Sequence, residues 1–540
     1  MDPNTPETLP AILRRSVLSY PDRMALASVG GPSYTYSDLA ALVSSTRSRL
    51  ASLGVAPGDR VAIISENRPE WGIAYFAIQC QGAVAVPILP DFHANEIQHI
   101  LRHSDCVAAF VSERLMPKLD DAALPSLRGT IAMEALAEQD VPASRSGMEA
   151  LMEPPGVTED SLATIVYTSG TTGFSKGVML SHRNIIFDAT AVRSIVDISS
   201  EDRMLSILPL AHTYECTLGL LLPLMLGASV YYIDKPPSAA VLLPAMTAVR
   251  PTIMLSVPLV IEKIYKARIQ PLLAKASVRS LVWFPPFRNF LSRLIGRRLL
   301  RSFGGSLQVL AIGGAPLATD VEQFLREARF PYAIGYGLTE TSPLSAGSGP
   351  GATRLRSAGR PILGVDIRID GQDPATGEGE IQVKGPNVML GYYRDPERTR
   401  ETINPDGWLR TGDLGCIGKD GYLFIKGRLK NLILGPSGKN IYPEEIESAL
   451  NEFDLVVESV VFEQQSKLIA RAHLNYEEIK RRFAHGKSDY REHVGAILED
   501  IRRQVNERLA HFSRLHRIIE QSEPFEKTPT QKIKRHLYGG

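Results

Sequence analysis

Cysteine is scarce in this chain. Four residues, Cys80, Cys106, Cys216 and Cys416, are scattered over 540 positions with no metal-ligand spacing. That excludes a disulfide framework and reads as free thiols in a reducing compartment. Long apolar runs are also missing. The longest, around Leu218–Leu226, is interrupted by Pro223 and bounded by Gly227, so no segment is expected to span a bilayer. The N-terminus, Met1-Asp2-Pro3-Asn4-Thr5-Pro6-Glu7, lacks the basic region and apolar core of a secretory signal. There is no charge surplus either. Lys and Arg number 60 against 59 Asp and Glu, which gives no argument for a nucleic-acid partner. Together these absences imply a cytoplasmic protein, free or resting on the inner face of a membrane.

What is present is the composition of a globular enzyme, 44% hydrophobic and 22% charged. The length exceeds one ordinary core, so two or more domains are expected. Ser37–Leu53 has helical periodicity and stops at Gly54. The strand 59–64, the helix Pro69–Gln81 and the strand 83–88 form a β-α-β unit, which demands parallel strands. A similar unit recurs, with strand Arg203–Leu208, a helix around Leu218–Leu226 and strand Ala228–Ile233. This weak duplication predicts two doubly wound α/β sheets. From about Ser357 the texture becomes strand and turn, with turn residues at Glu378-Gly379-Glu380 and Lys419-Asp420-Gly421. A β subdomain is expected over 357–427. A new α+β unit starts beyond Arg428, with a proline-initiated helix at Pro443, strands Leu455–Phe462 and Leu468–Leu474, and a basic helix Tyr490–Ala510. The expected domains are 1–428 and 429–540.

The richest stretch is Tyr167-Thr168-Ser169-Gly170-Thr171-Thr172-Gly173-Phe174-Ser175-Lys176-Gly177, placed just after an apolar strand. Glycines let backbone N–H groups turn inward, hydroxyls add donors and Lys176 adds charge, which suits a polyphosphate. It is not a Walker A loop, because Lys176 is followed by Gly177. A second signature is Gly335-Tyr336-Gly337-Leu338-Thr339-Glu340-Thr341. An aromatic ring between glycines can stack on a purine, and a carboxylate four residues later can hold magnesium on phosphates. Upstream, Gly313-Gly314-Ala315-Pro316 are small enough to line a nucleotide wall. A third is Gly407-Trp408-Leu409-Arg410-Thr411-Gly412-Asp413. Alone, its turn aspartate is more often a backbone cap than a ligand.

These runs, in this order, resemble the adenylate-forming enzymes: acyl-CoA synthetases, peptide-synthetase adenylation domains and luciferases. The resemblance implies a large AMP-binding domain followed by a small mobile domain. It implies that residues 168–177 hold ATP phosphates, that Gly314, Ala315, Pro316, Gly337 and Thr339 line the nucleotide site, and that Tyr336 stacks on adenine. Glu340 would ligate Mg2+. Asp413 and Arg428 would grip the ribose, and Lys430 would be the hinge. Lys527-Thr528-Pro529-Thr530-Gln531-Lys532-Ile533-Lys534-Arg535 overlays the family's Lys-Thr-x-x-Gly-Lys-x-x-Arg, making Lys532 the catalytic lysine. The chain departs from the family at Ser175, usually proline, and at Gln531, usually glycine. His212 matches a position gating the acyl pocket, and reads equally as a core histidine.

Ser256–Tyr265 and Gly438–Glu447 resemble the long-chain fatty-acid branch. That implies ATP-dependent conversion of a fatty acid to an acyl-AMP and then to a CoA thioester. Two alternatives stay open: a ligase that loads an acyl carrier protein, and a nucleotide-binding protein without catalysis. No Asp or Glu lies between Glu262 and Asp320, while ten Lys and Arg do, from Lys263 to Arg301, interleaved with Trp283, Phe284, Phe287 and Phe290. Residues 263–301 thus suit an anionic membrane surface. They also suit a solvated face, or a dock for an acidic carrier protein or for CoA phosphates.

Overall fold

The computed structural model describes residues 7–119, 124–137, 151, 154, 156–168, 175–273, 285–434, 440–465, 467–483, 491–528 and 533–539. Two large sheets dominate the first 400 residues. In the first, nine strands run in the order Arg360–Pro361, Ala346–Ser348, Tyr332–Tyr336, Val309–Ile312, Ile253–Ser256, Arg203–Ser206, Ser229–Tyr232, Met24–Ser28 and Ser33–Thr35. Its six central strands are parallel and its edges antiparallel. In the second, seven strands run in the order Gly391–Tyr392, Lys176–Ser181, Leu162–Thr168, Val84–Ile88, Arg60–Ile64, Cys106–Val111 and Gly129–Ala132. The expected α/β class with two doubly wound sheets is what the chain adopts.

The helix Pro69–Cys80 shows why the sheets hold together. All twelve of its residues are buried. A Cβ on Gly72 would lie 3.2 Å from Leu26 of the nine-stranded sheet, while Tyr75 Oη bonds Thr164 Oγ1 of the seven-stranded sheet at 3.0 Å. A helix buried on every face must be sandwiched, and this one is. Its neighbour Tyr36–Ser52 begins with a capping box, Thr35 with Asp38, and turns only one face inward.

Strands Asp366–Asp370, Gly379–Lys384, Leu409–Ile417 and Leu423–Arg428 form a separate antiparallel sheet. Gly379 and Glu380 already belong to a strand, so only Glu378 of the expected turn precedes it. The C-terminal region has its own core, with Ile446, Leu450, Val461, Ala470, Ile501 and Val505 packed together. It joins a three-stranded sheet, Val456–Gln464, Lys467–Leu474 and Arg517–Glu520, to helices Pro443–Asn451, Tyr476–Phe483 and Arg491–Arg508. One expected helix differs: Tyr214–Leu221 is a π-helix, followed by a short α-turn, Leu222–Met225. Pro223 is the second residue of that α-turn, directly after the π-helix. Among the described residues no helix is long and apolar enough to cross a membrane.

Candidate active site

Strands Leu162–Thr168 and Lys176–Ser181 pair antiparallel, with Thr168 opposite Lys176. Residues 169–174 between them, including Ser169, Gly170, Thr171, Thr172 and Gly173, lie outside the described residues, as does Lys532. The two ends of the phosphate-loop candidate are therefore brought side by side. Thr168 Oγ1 is buried without a hydrogen-bond partner among the described residues. A buried hydroxyl in that state is an expensive group unless something polar meets it.

Lys176 reaches across to the other large sheet. Its Nζ lies 2.6 Å from Glu340 Oε1 and donates to Tyr392 Oη at 2.7 Å, while Tyr392 donates to Glu340 Oε1 at 2.9 Å. Burial pushes the Glu340 carboxyl up, but the Lys176 charge, its hydrogen bond and the Tyr392 hydroxyl together outweigh burial and hold it below the ordinary value. Glu340 is thus kept as a carboxylate. Tyr392 was invisible to motif reading. The only trace in the sequence is an aromatic after Gly391, ahead of the proline-initiated helix Pro396–Thr402.

The second cluster lies where the nine-stranded and four-stranded sheets meet. Tyr336 Oη donates to Asp413 Oδ2 at 2.8 Å, and Arg428 Nε lies 2.8 Å from Asp413 Oδ1. Asp413 faces Arg428 across adjacent strands, so the pair follows from strand register. Asp413 is only 4% exposed. Gly337 is dictated by packing: a Cβ there would sit 1.8 Å from the Pro343 carbonyl oxygen. Thr339 opens the short 3-10 turn Thr339–Thr341 that presents Glu340.

Gly313 and Gly314 follow strand Val309–Ile312, directly beside the strand that ends in Tyr336. Gly314 needs its freedom, having φ +86°, and Gly314, Ala315 and Pro316 are exposed. They form an open shelf at the carboxyl ends of parallel strands, where open α/β sheets bind ligands. His212 Nδ1 accepts the Tyr214 N–H at 3.2 Å, and Tyr214 Oη bonds the Ala311 carbonyl at 3.1 Å. That places His212 near the same strand ends. A small apolar void of about 10 Å³, room for no more than one water, is lined by Ile207, Met246, Met254, Val260, Phe303 and Leu310.

Two predicted groups are therefore assembled: Thr168, Lys176 and Glu340, and Tyr336, Asp413 and Arg428. No cluster of three or more metal-ligating side chains occurs among the described residues. The site still fits magnesium, because that ion is held by one or two carboxylates plus substrate phosphates. Glu340, held ionised, is such a carboxylate.

An adenylate-forming enzyme is defined by this pairing of two stacked α/β sheets, a small β sheet and a C-terminal α+β unit. Residues 13–393 match the AMP-binding enzyme family, and the chain belongs to it as an adenylate-forming acid–CoA ligase. Long-chain-fatty-acid–CoA ligase FadD15 of Mycobacterium bovis is 32% identical over 446 residues, covering 76% of this chain and 72% of that one. A methyl-dioxo-octahydro-indenyl-propanoyl:CoA ligase of Rhodococcus jostii is 30% identical over 562 residues, covering 98% of each. Among solved structures, o-succinylbenzoate coenzyme A synthetase of Bacillus subtilis in complex with AMP superposes with a TM-score of 0.77 at 25% identity, covering 99% of this chain and 98% of that one.

Proposed function

We propose that this protein activates a fatty acid, of long-chain type, with ATP and passes the acyl group to CoA. The observation carrying the reading is the placement of the Lys176–Glu340 pair and the Tyr336–Asp413–Arg428 cluster at the two ends of Tyr336–Glu340, beside the end of a parallel strand. A carboxylate is a poor electrophile, so acyl transfer needs a better leaving group. The acid's oxygen attacks the α-phosphorus of ATP, the bond to pyrophosphate breaks, and an acyl-adenylate forms. The CoA thiol then attacks the acyl carbon, loses its proton and expels AMP.

Two anions meet in the first step, so cations and donors must be preorganised around them. Residues 168–177 hold the β- and γ-phosphates, with Lys176 supplying charge. Tyr336 offers its ring to adenine, and Asp413 accepts from the ribose hydroxyls with Arg428 beside it. Lys532 bridges substrate carboxylate and α-phosphate. Glu340 holds magnesium, which when bound neutralises charge on the phosphates. His212 borders the acyl entrance. Lys430, in the 3-10 turn Leu429–Asn431, is the pivot that moves Lys532 away before the thiol attacks.

The acid is read as a long-chain fatty acid because a long-chain-fatty-acid–CoA ligase is 32% identical to this chain and Ser256–Tyr265 and Gly438–Glu447 resemble that branch. Acid-dependent ATP–pyrophosphate exchange across a panel of carboxylates tests this, followed by thioester assays with CoA and with acyl carrier protein. Strongest exchange with long-chain fatty acids and transfer to CoA is the expected result. A preference for aromatic or polycyclic acids overturns it.

A membrane surface extends the same reading. On helix Pro285–Ser302, Phe290 is 64% and Leu294 55% exposed, flanked by exposed Arg293, Arg297, Arg298 and Arg301. That pattern suits anionic lipid. Not every cation of 263–301 is available: Arg288 pairs with Glu327 at 2.7 Å, and Lys266 donates to the Asn451 carbonyl at 2.7 Å. Trp283 and Phe284 lie outside the described residues. Co-sedimentation with anionic but not zwitterionic vesicles, lost at high salt, is the expected behaviour.

A further inference from the structure

The strand pair that delivers Lys176 is braced by the end of helix Ala94–Ser104. His103, in the last turn of that helix, has its Nδ1 2.7 Å from Tyr167 Oη. Tyr167 pairs across the strands with Gly177, the residue after Lys176. A Cβ on Gly177 would lie 3.1 Å from Tyr167 Cζ and 3.3 Å from Tyr393 Cβ, so both tyrosines pack against that glycine. The Tyr393 N–H donates to the Gly177 carbonyl at 2.8 Å, and the preceding residue, Tyr392, caps the Lys176–Glu340 pair. The two residues that meet Glu340 are thus the immediate neighbours of Gly177 and Tyr393.

The same helix end also fixes the segment carrying Tyr392. Asp105 caps the helix in the left-handed region, φ +50°, and is ion-paired with Arg394. Arg394 donates to the His103 carbonyl at 3.2 Å and sits over the Tyr393 ring, 5.3 Å from its centroid. Its own φ is +58°, uncommon for a bulky side chain, so these contacts hold the backbone against its preference. The His103 ring stands edge-on to both tyrosines, with centroids 5.7 Å from Tyr167 and 5.8 Å from Tyr393. Burial, then His99 and Arg394, hold the His103 pKa below its ordinary value, against Asp105 and Asp395. Burial pushes the Tyr167 hydroxyl the other way, so it keeps its proton. A neutral imidazole and a protonated phenol are a matched acceptor and donor.

We propose that His103 is a positioning residue for adenylation, setting Lys176 and Tyr392 against Glu340 through Tyr167 and Tyr393. The proposal rests on the reading that Lys176 and Glu340 serve the phosphates and magnesium of ATP. Lys176 Nζ, Tyr392 Oη and Glu340 Oε1 form a triangle with sides of 2.6, 2.7 and 2.9 Å. Two of its corners come from adjacent strands, so a slip of either strand opens it. Tyr167 is 4% exposed, and without His103 its buried hydroxyl loses a partner that water does not readily replace. The ring would then shift on Gly177 and carry Lys176 with it. A misplacement of about 1 Å is enough to cost about 10²-fold in rate. A purely structural role for His103 predicts something different: loss of both half-reactions in proportion to loss of folded protein.

The test uses full-length His103→Phe and His103→Asn, with Lys176→Met as reference, and His103→Phe combined with Lys176→Met. Phenylalanine keeps the ring and drops the nitrogen; asparagine keeps a polar atom close to where Nδ1 stands. Acid-dependent ATP–pyrophosphate exchange and thioester formation from supplied acyl-adenylate plus CoA are timed on the same preparations. His103→Phe should lower exchange by about 10-fold, with thioester formation from the adenylate unchanged, and His103→Asn should recover most of the exchange. Added to Lys176→Met, the same His103→Phe change should cost less than about 2-fold, because the group it positions is already broken. Misfolding lowers both rates equally, so their ratio remains readable for a destabilised variant. An unchanged ratio in His103→Phe, or a full further loss on top of Lys176→Met, overturns the proposal. If Lys176→Met alone leaves exchange intact, it is the reading of Lys176 that fails, and the role of His103 goes with it.

Discussion

Lys176 Nζ sits 2.6 Å from Glu340 Oε1, joining residues 164 positions apart, one on a strand of the seven-stranded sheet and the other on the 3-10 turn between two strands of the nine-stranded sheet. The pair is only partly exposed, at 26% and 13% of the side chains. Tyr392 caps it, with the ammonium 4.4 Å from its ring centroid. Neither sheet holds this charge arrangement alone, so the site exists only when both are docked.

Removing the ammonium tests the pair's electrostatics. Burial is the largest influence on Glu340 and acts upward; Lys176 is the main opposing one. Lys176→Met should therefore let the Glu340 pKa rise. If turnover needs the carboxylate ionised, the acid limb of the pyrophosphate-exchange profile moves to higher pH. Glu340→Gln should weaken magnesium-dependent exchange, with partial rescue at higher magnesium. An acid limb that stays put in Lys176→Met would detach the pair from catalysis.

Asp413 lies between Tyr336 and Arg428, each at 2.8 Å. A ribose contact gives mostly uniform binding energy, the same in ground and transition states. Asp413→Ala should thus chiefly raise the ATP requirement and leave kcat little changed. Tyr336→Phe keeps the ring and loses one hydrogen bond, so its effect should be the smaller. Unchanged ATP titrations for Asp413→Ala would move the nucleotide elsewhere.

Much of this was legible in the sequence, and the reasons are physical. Helix Pro69–Cys80 and strand Arg60–Ile64 were readable because proline, glycine and apolar periodicity act locally. The π-helix Tyr214–Leu221 was not, since its apolar stretch has no feature distinguishing one helical winding from another. Thr168, Lys176, Glu340, Tyr336, Asp413 and Arg428 stood out because glycine-rich runs carry them. Their grouping into two clusters did not, because strand order decides it. Tyr392 escaped notice because its partners lie 52 and 216 residues away.

Glu215 gives a stability prediction independent of the site. It is fully buried, neither carboxyl oxygen has a hydrogen-bond partner among the described residues, and burial pushes its pKa up from 4.5 to about 8 against a weaker opposing effect of the nearby Ser206 hydroxyl. Between those values the folded state holds a proton that the unfolded chain has released. Stability from this group therefore falls as pH rises from about 4.5 and levels off above about 8. Glu447, pushed up to about 7, adds slope below that value. Glu215→Gln removes only the first contribution. Its melting temperature should gain on the parent as pH is raised from 5 to 9, on the order of several degrees. A constant difference across that range would mean Glu215 is not the group that titrates.

Lys430 offers the sharpest test of two-step motion. It lies in the 3-10 turn Leu429–Asn431, directly after Arg428, whose Nε meets Asp413 at 2.8 Å. Proline fixes φ near about −65°, a value that a 3-10 turn already uses. Lys430→Pro should therefore suit the present arrangement and oppose rotation away from it. Arg428 engages the proposed ribose contact here, so the favoured arrangement is expected to be the adenylating one. The variant should make acyl-adenylate at nearly the parent rate and form thioester very slowly. Pyrophosphate release and acyl-CoA formation, timed separately on one preparation, give the answer. Equal loss of both steps, at an unchanged melting temperature, would place the pivot at another residue. Normal rates for both would mean that no rotation about residue 430 separates the half-reactions.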